Sequence, residues 1–484
     1  MISKLVHKYK SINPTIKTSL WFLFANIFQK AVMVIFTPIF TRMLTTEQFS
    51  KYAVFQSWET IFTVFATLSI TNYATAKALV EFKDDKDGFV TSSEFLTFIL
   101  TVFCFGIYFL GRAVFGFFDD MPLWIMILMF VDIFSVACFG FWSQRERFDG
   151  KYKALTVVSI ISGMLAPGIA FALIIFSDYI GIDKSWARII GLVASNGIIG
   201  IFLLYTSIKR SKLFFSAKYW KYCFSYCIPL IPHFLAAAFL QKIGQLFVDN
   251  YCGVEISGIY ALANSLAMLM MVVNDAFTKT LVPWTYQKLA MEKYKEISKP
   301  INVALAVIGL GDIMMALLAP ELVYIFADRE YTKAIYAIPP LVAVCFFAFL
   351  YNTFANIEYY YKETKMISLA SIIAGITIVA ANAVFVPLFG FRGAAYASMI
   401  SFMIYALMHY LFMEKTLRKH LNGCKVYDTG FILKLSIIFA LIILFIPMIY
   451  GLPIIRYIII ILMFIILMFN YKSILSIFGK SEGL

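Results

Sequence analysis

The chain has 484 residues, of which 61% are hydrophobic and only 14% are charged. Soluble globular domains carry about 25% charged and about 45–50% apolar residues, so this composition excludes a soluble protein. The formal net charge is +13, but the charges are distributed as membrane topology requires, so no nucleic-acid partner is expected.

Apolar runs of membrane-spanning length, roughly 20 residues each, recur along the chain. We predict fourteen transmembrane helices joined by short connections, and therefore an all-α polytopic membrane protein. In chain order, the predicted helices cover residues 18–41, 52–76, 94–117, 122–143, 154–177, 187–208, 225–249, 256–281, 301–326, 336–361, 366–388, 392–413, 431–450 and 453–475.

Lysine and arginine are sorted between alternate connections. Most of the 41 Lys and Arg residues lie in the termini and in the connections on one side of the predicted membrane. Two, Lys30 and Lys242, lie inside predicted helices. Because connections rich in Lys and Arg stay in the cytoplasm, we predict that both termini are cytoplasmic, which requires an even number of spans.

A short phrase occurs twice in the sequence. "FQKAVMVIFTPIFTRMLTTEQFSKYA" begins at Phe28, and "LQKIGQLFVDNYCGVEISGIYA" begins at Leu240. In both, a lysine within an apolar run is followed by a glutamate and, five residues later, by Tyr-Ala. The repeat predicts two pseudosymmetric six-helix bundles that arose by duplication and that transport by rocking against each other. The predicted domains are residues 1–212, residues 213–420, and two additional C-terminal helices in residues 421–484.

Four cations are candidates for binding an anionic substrate headgroup. Lys30 lies near the centre of its predicted helix, where an isolated ammonium group costs roughly 2.5–3.5 kcal/mol. It therefore either faces a wet cavity that accepts phosphate or pairs with a carboxylate such as Asp132. Lys242, Arg42 and Arg112 lie nearer the outer ends of their helices, so phosphate binding and snorkelling to the membrane surface both stay open for them.

Four carboxyl groups also lie inside predicted helices, namely those of Glu59, Asp132, Asp275 and Asp312. Each either neutralises a lysine or carries a coupling ion, because burial favours the neutral form of a carboxyl group. The seven cysteines lack the Cys/His spacing of a metal site, and no nucleophile or acid–base pair is recognisable. We therefore predict no catalytic residue, no metal and no cofactor apart from a coupling H⁺ or Na⁺.

Two stretches carry a family resemblance. "FTPIFTRMLTTEQFSKYAVFQS" resembles the first-helix signature of bacterial O-antigen and capsular polysaccharide flippases (Wzx-type), which belong to the multidrug/oligosaccharidyl-lipid/polysaccharide export superfamily. The second stretch is a Pro-x-x-Gly-x-x-Gly-Ala-Ala turn after the predicted eleventh helix, and it is matched by Pro387, Gly390, Gly393, Ala394 and Ala395.

The resemblance implies an inner-membrane carrier of undecaprenyl-pyrophosphate-linked oligosaccharide units. It implies movement of the headgroup through a cationic central cavity, by alternating access coupled to a proton or sodium gradient. The cavity cations of the family carry over loosely onto Lys30, Lys242, Arg42 and Arg112. The implied partners are the polyprenyl-linked oligosaccharide, membrane lipids and the polysaccharide polymerase machinery.

Three alternatives stay open at the level of the sequence. A multidrug/cation antiporter and a lipid II flippase of the same superfamily share the expected fold. A membrane glycosyltransferase or polymerase acting on lipid-linked sugars is the distant alternative, because such enzymes usually need a large outer loop and every outer connection here is short. The interpretation favoured is a transporter and not an enzyme.

Overall fold

The computed structural model describes residues 14–116 and 121–469 of the chain. Within these residues the chain forms α-helices and short 3₁₀-helices, and no β-strand occurs there. The prediction of an all-α protein is therefore confirmed for the described residues. The predicted cytoplasmic termini fall in residues 1–13 and 470–484, outside the described residues.

Eighteen α-helices follow one another along the described parts of the chain. They are α1 (Pro14–Met43), α2 (Thr46–Thr67), α3 (Ile70–Glu81), α4 (Lys86–Phe115), α5 (Leu123–Phe148), α6 (Tyr152–Ile180), α7 (Lys184–Arg210), α8 (Ala217–Cys227), α9 (Ile231–Cys252), α10 (Val254–Ala267), α11 (Met270–Ala290), α12 (Ser298–Leu317), α13 (Ala319–Phe326), α14 (Ile338–Tyr360), α15 (Thr364–Phe389), α16 (Phe391–Leu421), α17 (Thr429–Phe445) and α18 (Pro453–Phe469).

Eleven helical segments among the described residues are long and apolar enough to cross a membrane. The helices α1, α2 and α18, which overlap three further predicted spans, are not among these eleven. The predicted total of fourteen spans therefore stays a prediction.

Internal packing divides the chain into two compact units. The first unit comprises the described residues up to Leu44 together with Phe55–Phe234, and the second comprises Thr45–Val54 together with the described residues from Leu235 onward. The predicted domain boundaries after residues 212 and 420 stay a prediction.

Several of the predicted helices are interrupted in the structure, among them 52–76 and 301–326. The predicted helix 52–76 is broken between α2 and α3, where Leu68 and Ser69 adopt left-handed backbone angles with φ of 48° and 49°. The predicted helix 301–326 ends as α12 at Leu317, and α13 then begins with Pro320 in its first turn. Proline is tolerated in a first turn because the N–H group that it lacks would have no helical partner there.

Small residues bring the helices of the first unit close together. A Cβ atom placed on Gly191 of α7 would lie 2.4 Å from Cα of Ala170 in α6, and one placed on Gly200 would lie 2.8 Å from Cα of Ser135 in α5. Lipid tails are as apolar as the side chains that they contact, so membrane helices associate through close packing of this kind. The backbone of α7 therefore lies directly against α5 and α6.

An ion-pair network joins the adjacent ends of α4 and α5. Arg145 of α5 donates from Nε to Asp87 Oδ1 of α4 at 2.8 Å and also pairs with Asp149. Asp149 Oδ1 in turn lies 2.8 Å from Lys86 Nζ at the start of α4. Burial raises the pKa of Asp149, but hydrogen bonds from Arg145 and Lys86 outweigh this effect and lower that pKa to about 2. The Asp149 carboxylate therefore stays charged at physiological pH and holds the two helix ends together.

In the second unit, a buried arginine anchors the last described helix. Arg456 in the first turn of α18 is only 3% exposed, pairs with Glu321 of α13, and donates from Nη1 to the carbonyl oxygen of Leu317 at 3.2 Å. Tyr457 donates to the same Glu321 carboxylate at 2.6 Å. Because a buried charge needs an opposite charge and hydrogen bonds, these contacts fix α18 to α12 and α13.

We expect the substitution Gly191→Ala to destabilise the protein by about 1–3 kcal/mol, the usual cost of overpacking a tight interior. The added Cβ would meet backbone atoms of Ala170, which cannot move without separating α6 from α7. The measurement is the thermal unfolding midpoint of the purified protein in detergent.

Gly197→Ala is the matched control on the same helix. A Cβ placed at Gly197 would meet no neighbouring group of the described residues within 4 Å. This control is expected to unfold at the parent temperature or slightly above it, since alanine favours helix more than glycine does. Equal midpoints for the two variants would contradict the close packing of α6 on α7.

Candidate functional site

The predicted lysine of the first unit lies on α1 at a level where this helix packs against α6. Lys30 is half-buried. Its neighbour Gln29 donates from Nε2 to the carbonyl oxygen of Ser159 at 2.8 Å, and a Cβ on Gly163 would lie 2.8 Å from the Gln29 side chain. The contact with α6 therefore fixes the rotation of α1 at this level.

The two predicted arginines lie in the last turns of their helices. Arg42 is exposed at the end of α1, where its charge also interacts favourably with the negative end of the helix dipole. Arg112 in the last turn of α4 donates from Nη1 to Tyr108 Oη at 3.0 Å and to the carbonyl oxygen of Met121 at 2.6 Å. These bonds hold the start of the following segment against α4.

Three predicted site residues lie in the second unit. Lys242 on α9 and Asp275 on α11 are half-buried. Asp312 on α12 is completely buried, and its carboxyl group lies near the backbone of Phe346 without a hydrogen bond of ordinary geometry to either oxygen. A carboxyl group in such surroundings is expected to be neutral, because an uncompensated buried charge is costly.

The structure brings two of the predicted carboxyl groups together. Glu59 on α2 lies close enough to Asp132 on α5 for the two carboxyl groups to interact within the first unit. Asp132 is 1% exposed, and Asn196 of α7 donates from Nδ2 to its Oδ1 at 2.9 Å and to its Oδ2 at 3.2 Å. We refer to Glu59, Asp132 and Asn196 as the acid cluster.

The close approach of α5 and α7 explains how the acid cluster forms. Gly200 contacts Ser135 with no room for a side chain. Asp132 lies three residues before Ser135 and Asn196 lies four residues before Gly200, so both side chains lie one turn from this contact on the facing sides of their helices. A short amide and a short carboxylate meet there only because the backbones are so close.

The acid cluster places two carboxyl groups beside each other. Two adjacent carboxylates would repel each other strongly, and one proton shared between them removes this repulsion. Asn196 donates to both oxygens of Asp132 and so fixes the orientation of that carboxyl group. The cluster therefore has the chemistry needed to bind one proton.

Aromatic rings lie beside the acid cluster. Phe62, one turn after Glu59 on α2, lies 5.4 Å from Phe130 and 6.1 Å from Tyr108 between ring centroids. Tyr108 is also the residue that accepts a hydrogen bond from Arg112. These ring contacts pack α2 against α4 and α5 close to the cluster in sequence.

Sequence reasoning identified both acids of the cluster but missed the partner amide and two other buried polar groups. Asn196 lies within "LVASNGIIG", where only a polar pair inside an apolar run marks it. Glu94 of α4 is buried and accepts a hydrogen bond from Ser207 Oγ at 3.0 Å. Glu358 is paired with His409 inside the second unit, a contact between α14 and α16 that no local pattern indicates.

Comparisons with known proteins place the chain in a family. Residues 15–289, more than half of the chain, match the family described as "Polysaccharide biosynthesis protein". A protein of Haemophilus influenzae (strain ATCC 51907 / DSM 11121 / KW20 / Rd) described as "Uncharacterized membrane protein" is 20% identical over 368 residues, which cover 74% of this chain and 87% of that protein.

Two solved structures share the fold. "Lipid II flippase MurJ, inward closed conformation" matches with a TM-score of 0.68 and 15% identity over 95% of this chain and 100% of that chain. "Inward-facing conformation of a multidrug resistance MATE family transporter of the MOP superfamily" matches with a TM-score of 0.62 and 13% identity over 81% of this chain and 96% of that chain. At these identities the likeness shows a common fold. These matches confirm the resemblance found in the sequence, and we conclude that the chain is a multi-pass membrane protein that belongs to the polysaccharide biosynthesis protein family.

Proposed function

We propose that this chain is a flippase of the bacterial inner membrane. Its substrate in this proposal is an undecaprenyl-pyrophosphate-linked oligosaccharide unit, which it moves from the cytoplasmic to the outer leaflet by alternating access. The observation that carries the proposal is the fold shared with a lipid II flippase over 95% of the chain. The family description, polysaccharide biosynthesis, supports a sugar-bearing substrate.

The physical task is to carry a charged, hydrated headgroup through hydrocarbon. Pyrophosphate and sugar hydroxyls lose their hydration there, and an unpaired charge in an apolar medium is very costly. In this proposal the ammonium groups of Lys30 and Lys242 replace water around the pyrophosphate, since lysine binds phosphate as a compact charge. Arg42 is exposed and is a candidate for transient contact with the headgroup, whereas Arg112 donates to Tyr108 and Met121.

The acid cluster is the proposed coupling site. When Glu59 loses its proton, two carboxylates face each other, and the contact between α2 and α5 becomes repulsive. Protonation from the opposite side of the membrane would restore the contact and thereby link proton movement to a change in helix packing. Sodium binding between the two carboxylates is the alternative form of coupling. Asp275 and Asp312 are the candidates for an ion in the second unit.

Transport of this kind breaks no covalent bond, so the proposal assigns no catalytic residue. The prenyl tail stays in the bilayer, and membrane lipids are partners in that sense. The polymerase machinery that extends the polysaccharide is the proposed recipient of the flipped units at the outer face.

We expect Lys30→Ala to lower the flipping rate about 10- to 100-fold. A charge-assisted hydrogen bond contributes about 1.5–3 kcal/mol, and each 1.4 kcal/mol corresponds to a factor of ten. The measurement uses proteoliposomes that contain fluorescent undecaprenyl-pyrophosphate oligosaccharide, and dithionite added outside reports the fraction of headgroups in the outer leaflet.

Lys30→Arg keeps the charge and is expected to retain most of the flipping activity. Parental flipping by Lys30→Ala would remove Lys30 from the mechanism. The same vesicles distinguish the alternatives: flipping of lipid II alone, proton-driven efflux of a cationic dye alone, or extension of the glycan without flipping would each replace the proposed function.

We expect Glu59→Gln to abolish stimulation of flipping by a proton gradient. Glutamine preserves a hydrogen bond to Asp132 but cannot release the proton. The initial flipping rate is measured with and without a pH gradient across the vesicle, in sodium-containing and in sodium-free buffer.

Glu47→Gln is the matched control on the same helix, because the Glu47 carboxylate is half-exposed and lies 2.9 Å from Lys51 Nζ at the start of α2. It is expected to behave as the parent does. An unchanged gradient dependence in Glu59→Gln would exclude proton coupling through the acid cluster, and a requirement for sodium that disappears in Glu59→Gln would identify sodium as the coupled ion.

A further inference from the structure

A second pair of titratable groups is sealed inside the second unit. Glu358 of α14 and His409 of α16 both have no exposed side-chain surface, and Glu358 Oε1 lies 2.8 Å from His409 Nδ1. Their other polar atoms, Glu358 Oε2 and His409 Nε2, are also buried, and no residue in the described parts of the chain forms a hydrogen bond with them. A pair used only for structure would be expected to satisfy these atoms, because each unsatisfied buried polar group is costly.

Two tyrosines enclose the histidine ring. The ring centroid of His409 lies 4.7 Å from that of Tyr405 and 5.7 Å from that of Tyr351, and the two tyrosine rings are stacked 4.2 Å apart. Ser371 of α15 lies 2.8 Å from Tyr405 Oη and fixes that ring. The rings hold Nδ1 toward Glu358 and offer their faces to a cationic imidazole.

The charge balance of the pair determines how many protons it holds. An ionised carboxylate beside a neutral imidazole gives the pair one negative charge. A carboxylic acid beside an imidazolium, which holds two more protons, gives it one positive charge. With one proton it is neutral overall, either as imidazolium and carboxylate or as imidazole and carboxylic acid. Because net charge in a dry interior is costly, these surroundings favour the neutral state of the pair, with one proton.

Glu358 lies in the last turn of α14, and a second contact between a glutamate and a histidine follows in the next connection. Glu363, in the connection after α14, accepts from Lys419 Nζ at 2.6 Å and lies 3.0 Å from His420 Nε2. The titratable groups that face the buried pair are Glu363 and the rings of Tyr351 and Tyr405. The connection that contains Lys362 and Lys365 is predicted to be cytoplasmic, so water would enter from that side.

We infer that Glu358 and His409 form a proton-binding site in the second unit, separate from the acid cluster, that exchanges its proton when the cytoplasmic end of α14–α16 opens. This inference rests on the proposed transport function for its role in the cycle. Its proton-binding chemistry can be tested without any transport.

The first experiment measures the protonation states of Glu358 and His409 in the full-length protein in lipid bilayers. Histidine labelled with ¹⁵N reports whether the ring is charged, and His409→Gln assigns the signal among the four histidines of the chain. The infrared C=O stretch of a protonated carboxylic acid, assigned by its loss in Glu358→Gln, reports the other form. We expect one of these two signatures at neutral pH, because an ionised carboxylate beside a neutral imidazole would leave a net charge in the sealed interior.

The second experiment measures flipping in proteoliposomes with and without a proton gradient. Glu358→Gln and His409→Gln are each expected to lower gradient-driven flipping about 5- to 150-fold, the usual range of coupling between sites, while exchange at equilibrium continues. Glu47→Gln, the exposed control used for the acid cluster, is expected to retain both activities.

The outcomes separate the inference from the proposed function. A neutral imidazole beside an ionised carboxylate would overturn the inference, as would gradient-driven flipping at the parental rate in both variants. If the parent flips no lipid-linked oligosaccharide, the proposed function fails, and the spectroscopic experiment still decides whether the pair binds the proton.

Discussion

The structure depends on one constraint, which is that hydrocarbon and dry protein do not accommodate an uncompensated charge. The described interior meets this constraint in three ways. Asp132 lies beside Glu59 and accepts hydrogen bonds from Asn196. Glu358 lies in contact with His409. Arg456 and Glu321 form an ion pair at a helix end. In the proposed cycle the first two arrangements exchange a proton, whereas the third anchors a helix.

Each compact unit contains a buried group that can hold a proton and a half-buried lysine. The first unit has the acid cluster and Lys30, and the second has the Glu358–His409 pair and Lys242. In the proposed cycle, any coupling between substrate binding and proton binding would be reciprocal, so each would change the affinity for the other by the same factor.

The sequence predicted the helical class and most helix positions, because apolar composition and span length are local properties. It also identified Glu59 and Asp132 as membrane-embedded acids. It did not predict that they bond to each other and to Asn196, since that contact requires the close approach of Gly200 to Ser135, which only the packed helices reveal. The break after α2 was missed for a related reason, because Leu68 and Ser69 adopt left-handed angles that neither residue type favours on its own. The pairing of α14 with α16 through Glu358 and His409 was likewise invisible, since 51 residues separate the two side chains along the chain.

The anchoring of α18 has a consequence for how chain length varies among such proteins. Glu321 occupies a site whose positive partner is supplied from 135 residues further along. A version of this chain without α18 would leave the Glu321 carboxylate without its guanidinium partner. A neutral residue such as glutamine at position 321 would then be favoured. The negative charge at position 321 and the presence of α18 should therefore vary together during evolution.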